Sequence, residues 1–146
     1  MRLFSPDEKY LPQIKTMCAS CFDMEIDEVD YVFENKYIST DICYAIEDEN
    51  KICCMLFTVP CNITIDGEVK KGHYIYGACT LPEYRHRGLM HRLVEYANNQ
   101  TEEKGDEFSV LLPASKSLYD FYGDMGYRAL YTAHNELVSK TSLPEF

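Results

Sequence analysis

The sequence predicts an α/β fold with a mixed central sheet flanked by helices, and three observations predict it. Apolar residues recur at three- and four-residue steps near the start of the chain and again after residue 88. Between residues 40 and 80 the period shortens to that of strands broken by polar turns. A strand, a helix and a second strand then follow one another between residues 74 and 112, the signature of a parallel crossover.

Met1 to Phe4 reads as an edge strand. Ser5-Pro6-Asp7-Glu8 reads as a helix entry, with Ser5 as N-cap, Pro6 as first helical residue and Glu8 as capping-box partner. Tyr10, Leu11, Ile14, Met17, Cys18, Cys21 and Phe22 then share one apolar face. A second helix is expected from Asp27 to Lys36, capped by Asp27. Ile42–Ile46 and Ile52–Val59 form a hairpin about the turn Asp48-Glu49-Asn50-Lys51. Ile63 and Ile65 carry the second strand past Pro60, which implies a bend or a sheet edge there. Asp66-Gly67 is the next hairpin turn, and the strand after it ends at Thr80.

The helix after residue 88 places Leu89, Met90, Leu93, Val94 and Ala97 on one side, with Gly105 as its C′ residue. Phe108–Leu112 is a nearly continuous apolar run, as for a strand buried on both faces, and Pro113 ends it. Ser115 caps a short helix that Gly123 to Gly126 break. Tyr127–Val138 is the last strand expected, and the polar tail Ser139–Phe146 offers no further one.

The chain has 146 residues, 46% of them hydrophobic, which suits one buried core and a single domain. Seven cysteines make an odd count, and neither a leader segment nor an apolar run of membrane-spanning length is visible. A cytoplasmic protein with reduced thiols and no membrane association is expected. A net charge of −10 argues against nucleic acid as a partner, because phosphate backbones are held by broad basic surfaces. No Cys/His pairs have zinc-site spacing, so no metal is expected. Cys18-Ala19-Ser20-Cys21 sits at the end of a helix on its apolar face, which suits packing better than redox chemistry.

One stretch contradicts its own electrostatics. Arg85, His86, Arg87, His91 and Arg92 crowd the start of a helix whose N-terminus already carries partial positive charge, an arrangement that an anion would offset. Backbone N–H groups there, with Gly88 permitting close approach, suit a phosphate or pyrophosphate.

Arg85-His86-Arg87-Gly88-Leu89-Met90 resembles the Arg/Gln-x-x-Gly-x-Gly/Ala loop of the GNAT superfamily of acyl-CoA-dependent N-acetyltransferases, with Met90 in place of a small residue and a particular likeness to the Eis-like branch. Leu118-Tyr119-Asp120-Phe121-Tyr122-Gly123-Asp124-Met125-Gly126-Tyr127 is similar to the family's second segment, Phe-Tyr-x-x-x-Gly-Phe/Tyr. The resemblance implies a GNAT-like fold whose final strand is missing here or supplied by a partner copy in a homodimer.

It also implies transfer of an acetyl group from acetyl-CoA, used as co-substrate, directly to a primary amine on a small molecule or a protein. The pyrophosphate would lie on Arg87, Gly88, Leu89 and Met90, with side-chain help from Arg85 or Arg87. Cys79 and Leu81 would offer main-chain groups to the pantetheine arm and the thioester oxygen, and Ser115 stands where many members have a cofactor-contacting Asn. Tyr122 falls on the tyrosine that protonates the leaving thiolate. For the base, His73, Glu83, a carboxylate of the tail and plain water stay open, and each of the three side-chain candidates otherwise reads as a surface group. A non-catalytic acyl-CoA-binding or regulatory module of the same fold is the alternative.

Overall fold

The computed structural model describes residues 1–129. Strand β1 (Arg2–Phe4) leads through a 3-10 turn at Glu8–Tyr10 into helices α1 (Leu11–Cys21) and α2 (Ile26–Glu34). Strands β2 (Cys43–Asp48), β3 (Lys51–Ile65) and β4 (Glu68–Thr80) form a meander. Helix α3 (Leu89–Glu103), strand β5 (Phe108–Val110) and helix α4 (Ser117–Gly123) follow. The sheet runs β1-β2-β3-β4-β5, antiparallel except for the parallel pair β4–β5 that α3 connects. This is the mixed α/β sheet flanked by helices that the sequence predicts.

Side-chain alternation along β3 divides the core in two. Met55 and Phe57 pack with Ile14, Met17, Cys18 and Val29 beneath α1 and α2. Cys54 and Leu56 pack with Ile75, Leu89, Leu93 and Ala97 beneath α3. Both hairpin turns have the backbone their residues predict: Glu49 and Asn50, then Asp66 and Gly67, all take positive φ. Gly105 (φ 101°) stands one residue past the α3 C-cap, as expected of C′.

The expected starts of the first two helices are wrong. Ser5 donates its hydroxyl to the Cys43 carbonyl (3.1 Å), and Glu8 accepts from the Thr40 hydroxyl (2.9 Å), so both side chains serve distant elements. Asp7 caps the 3-10 turn instead, accepting from the Lys9 N–H, and α1 begins only at Leu11. Helix α2 starts a residue earlier than predicted, and Glu28, not Asp27, closes its first turn by accepting from the Glu25 N–H (3.1 Å).

Pro60 lies inside β3 without a bend. Strand β2 stops pairing at Phe57, so the proline's missing N–H falls on an edge, the second of the two options the sequence left. Strand β5 is shorter than its apolar run: Leu112 is 47% exposed, and the segment is not buried on both faces. The predicted strand from Tyr127 to Val138 has no strand geometry at residues 127–129; its remainder and the polar tail lie outside the described residues.

His73, expected at the surface, is 2% exposed. Its Nδ1 faces Asp106 Oδ2 at 2.8 Å and its Nε2 faces Asn98 Oδ1 at 3.0 Å. Asn98 Nδ2 donates to the Tyr127 hydroxyl (3.0 Å), which lies 2.6 Å from the Ser109 hydroxyl. Five residues from β4, α3, β5 and their connections are thus tied in one partly buried chain of hydrogen bonds centred on buried His73. Beside it, Gly72 lets β5 approach, because a Cβ there would run into the Phe108 carbonyl and ring.

His73→Ala strips Asp106 and Asn98 of their shared partner. Urea denaturation is expected to show a loss of about 3 kcal/mol, within the range for breaking a buried charged or polar pair. A loss under about 1 kcal/mol, the scale of an exposed pair, would contradict the role given to this network.

Candidate active site

The site begins where β4 and β5 part. Their parallel register covers Gly72 with Phe108, His73 with Ser109 and Tyr74 with Val110, and stops there. From Ile75 to Thr80, the β4 edge away from β3 has no strand beside it among the described residues. Parallel strands leave their ligand crevice beyond their carboxyl ends, which is where this opening lies. A bulge aims the last part of β4: Met55 pairs with Cys79 and Phe57 with Tyr76, so Leu56 alone faces Gly77 and Ala78, and Gly77 takes φ 64°.

Ladder parity decides which main-chain groups face the opening. The Leu81 N–H donates to the Cys53 carbonyl (2.9 Å), and the Leu81 carbonyl accepts from the Tyr84 N–H (2.9 Å). Leu81 is therefore a correction to the sequence expectation, for its main chain is committed to β3 and to the following 3-10 turn. Counting back along an antiparallel ladder, Cys79 also turns its main chain to β3, whereas Thr80 turns away from it. The Thr80 carbonyl, which accepts from Arg85 Nε at 3.0 Å, agrees with that orientation. Thr80, which sequence reasoning missed, is the residue whose N–H faces the cleft.

A 3-10 turn at Pro82–Tyr84 carries the chain from β4 to the basic loop. Arg87 Nη2 donates to the Glu83 carbonyl (2.9 Å), and its guanidinium lies 5.1 Å from the centre of the Tyr84 ring; the Tyr84 hydroxyl donates to Asp48 (3.0 Å). Arg85 and Arg87 thus spend part of their donor capacity on shaping the loop, and both remain exposed. Gly88 (φ 74°) is the N-cap of α3 and supplies no side-chain cap, which leaves the first N–H groups of Leu89, Met90 and His91 without an acceptor inside the helix. Nothing lies within 4 Å of where a Gly88 Cβ would stand. The space beside these N–H groups is open, and Met90 packs back against the α3 core.

Tyr122 is half-buried on α4, its ring centre 5.1 Å from that of Phe121 and 6.1 Å from that of Tyr127. Burial, then the neighbouring Tyr127 and Tyr74 hydroxyls, raise its pKa above the ordinary tyrosine value, so it keeps its proton. Tyr74, whose hydroxyl acts on Tyr122, is the residue at which the β4–β5 pairing ends. Ser115 is exposed; its hydroxyl meets that of Ser117 (3.0 Å), and α4 starts at Ser117 instead of being capped by Ser115.

Of the base candidates, His73 is locked in the buried network. Glu83 is exposed and paired with Lys51 (3.2 Å); its own backbone N–H and then Lys51 hold its carboxyl below the usual range. A carboxylate of the tail lies outside the described residues. On the other face of the sheet a narrow slot of about 20 Å³ runs beside Gly77 under α1 and α2. Val29 and Phe57 are buried in its wall, exposed Phe22 and Tyr76 frame it, and no residue lining it is charged.

The model of the acetyltransferase (GNAT) domain matches residues 4–130. The chain belongs to the GNAT acetyltransferase family. Solved structures share its fold. A GCN5-related N-acetyltransferase from Anabaena variabilis superposes with a TM-score of 0.72 at 22% identity, over 82% of this chain and 30% of that one. Glucosamine-6-phosphate N-acetyltransferase from Arabidopsis thaliana gives 0.70 at 15% identity, over 92% and 95%. An acetyltransferase from Clostridium acetobutylicum, described with acetyl-CoA, gives 0.70 at 18% identity, over 94% and 97%. The chain thus spans about a third of the Anabaena protein and nearly all of the other two. No curated protein matches it by sequence.

GNAT enzymes use acetyl-CoA, and the residues here fit its diphosphate: uncapped helix N–H groups, open space at Gly88 and two exposed arginines. Gly88→Val puts a β-branched residue at φ 74°, where left-handed backbone costs it about 1–2 kcal/mol, and puts a side chain into the open space. Its KM for acetyl-CoA is expected to rise about tenfold or more, because the side chain fills the approach beside the α3 start, while the KM for the amine stays within about twofold; the backbone cost itself lowers stability, not affinity. An unchanged cofactor constant would make the loop a basic surface only.

Proposed function

We propose that this chain transfers an acetyl group from acetyl-CoA to a primary amine by direct attack. The observation that carries the reading is the opening beyond Tyr74 and Val110, where the β4 edge has no partner strand among the described residues and the uncapped start of α3 follows that strand. Acetyl-CoA, when bound, supplies the acetyl group already activated as a thioester. Leu89, Met90 and His91 would hold the diphosphate through their N–H groups, with Gly88 permitting its approach and Arg85 and Arg87 adding charge. The Thr80 N–H, aimed into the crevice, would donate to the thioester oxygen as negative charge develops there. Tyr122 would give its proton to the departing sulfur. Deprotonation of the incoming ammonium is assigned to water, since Ile75 to Thr80 carry no carboxylate and His73 is committed elsewhere.

The slot beside Gly77, at about 20 Å³, has room for little more than a water molecule and does not choose the acceptor. Thiol release with a panel of amines makes that choice. The lack of an assigned side-chain base among the described residues favours a second reading, a module that binds acyl-CoA without turnover. Calorimetric binding of acetyl-CoA, with no thiol release on any amine, would establish that reading in place of the first.

Tyr122→Phe is expected to lower kcat about 10–100-fold with little change in the KM for acetyl-CoA. Because burial raises the Tyr122 pKa above its ordinary 10.0, the alkaline fall in kcat that it causes lies above pH 10.0. Full turnover in the phenylalanine variant would remove Tyr122 from the mechanism.

A further inference from the structure

Tyr84 ties the basic loop before α3 to a turn far from it in sequence. Its hydroxyl donates to Asp48 Oδ2 (3.0 Å), on the last residue of β2 and 36 positions earlier. Lys51, the first residue of β3, pairs with Glu83 (3.2 Å) and lies 5.9 Å from the centre of the Tyr84 ring. The Lys51–Glu83 pair is exposed on both sides and contributes little by itself, so the bond to the charged Asp48 acceptor is the stronger tie. The Tyr84 ring is half-buried and packs against the core under α3. Tyr84 is thus held at its hydroxyl and along its ring. Against this held ring stands the Arg87 guanidinium, 5.1 Å from its centre and within cation–π range, with Nη2 donating to the Glu83 carbonyl (2.9 Å). Arg87 lies outside any helix or strand, between two residues in the left-handed region, His86 (φ 64°) and Gly88 (φ 74°). Its side-chain contacts are therefore what orient it. An exposed arginine without them spreads over many rotamers, and the cost of ordering it falls on whatever anion it binds.

We propose that Tyr84 is a positioning residue for the acyl-CoA diphosphate: tied to Asp48, it presents an already ordered Arg87 guanidinium to the anion at the start of α3. The inference rests on the reading of that helix start as the diphosphate site. Tyr84 itself makes no contact with the cofactor. It acts through Arg87, by removing in advance the rotamer freedom that binding would otherwise have to restrict. Nη2 is given to the Glu83 carbonyl, and the other nitrogens of Arg87 have no protein acceptor among the described residues, which leaves their N–H groups for phosphate oxygens.

Calorimetric titration of the full chain with acetyl-CoA tests this through a double-mutant cycle. Tyr84→Leu is expected to raise Kd about fivefold, the scale of a cation–π contact at an exposed site, and Arg87→Ala about tenfold. In the double variant Kd is expected to equal that of Arg87→Ala alone, because Tyr84 then has nothing to position. Tyr84→Phe keeps the ring packed and loses only the Asp48 bond, so its Kd is expected to rise about twofold. Wild-type affinity in Tyr84→Leu, losses that multiply in the double variant, or a Tyr84→Phe chain as weak as Tyr84→Leu would each overturn the inference and leave the diphosphate site in place. A wild-type chain that binds no acetyl-CoA would overturn that site first, and the inference with it.

Discussion

A parallel strand pair that ends early is the constraint on which the site depends. Strands β4 and β5 hold together only from Gly72 to Tyr74, where Gly72 permits the contact and the His73–Asp106–Asn98 network fixes α3 across it. Beyond that point β4 continues to Thr80 while the chain leaves β5. The crevice follows from this difference in length, and no residue is removed from the core to make it. The buried histidine acts as the pin of a fork: it holds the closed end of the strand pair, and the proposed chemistry lies at the open end.

The electrostatics of the basic turn have a structural reason as well as a functional one. Arg85 and Arg87 each bond a main-chain carbonyl of the segment they follow, which sets the path from Thr80 to Gly88. Part of the cost of collecting cations at a helix start is thereby offset within the protein. The remainder persists, because α3 has no side-chain cap and its first N–H groups have no acceptor within the helix. An anion with several oxygens answers both, which is the physical content of the GNAT loop in this chain.

Much of this was legible in the sequence. Turns were read correctly because Asp-Gly between two apolar runs and a polar stretch between two strand-like runs are local signals, and the chain takes positive φ at both. The strand–loop–helix around Gly88 was visible because hydrophobic period and glycine placement are local signals. The caps at Ser5 and Asp27 were misread because their alternatives depend on tertiary or capping partners. The parity of β4 was hidden for a similar reason: the bulge at Gly77 and the bond from Leu81 to Cys53 select Thr80 in place of its neighbours, and neither leaves a mark in composition. His73 looked like a surface base since nothing near it in sequence announces Asp106 or Asn98.

The central claim is that acetyl-CoA lies along the open edge of β4 with its diphosphate on the start of α3. Amide chemical shifts of the isotopically labelled chain, followed as acetyl-CoA is added, test it most directly. The account predicts that the amides of Thr80 and of Gly88 to His91 shift together and saturate at one concentration, with those of the β3–β4 hairpin tip near Asp66 and Gly67 unmoved. Saturable shifts confined to other elements, or none at millimolar acetyl-CoA, would contradict it.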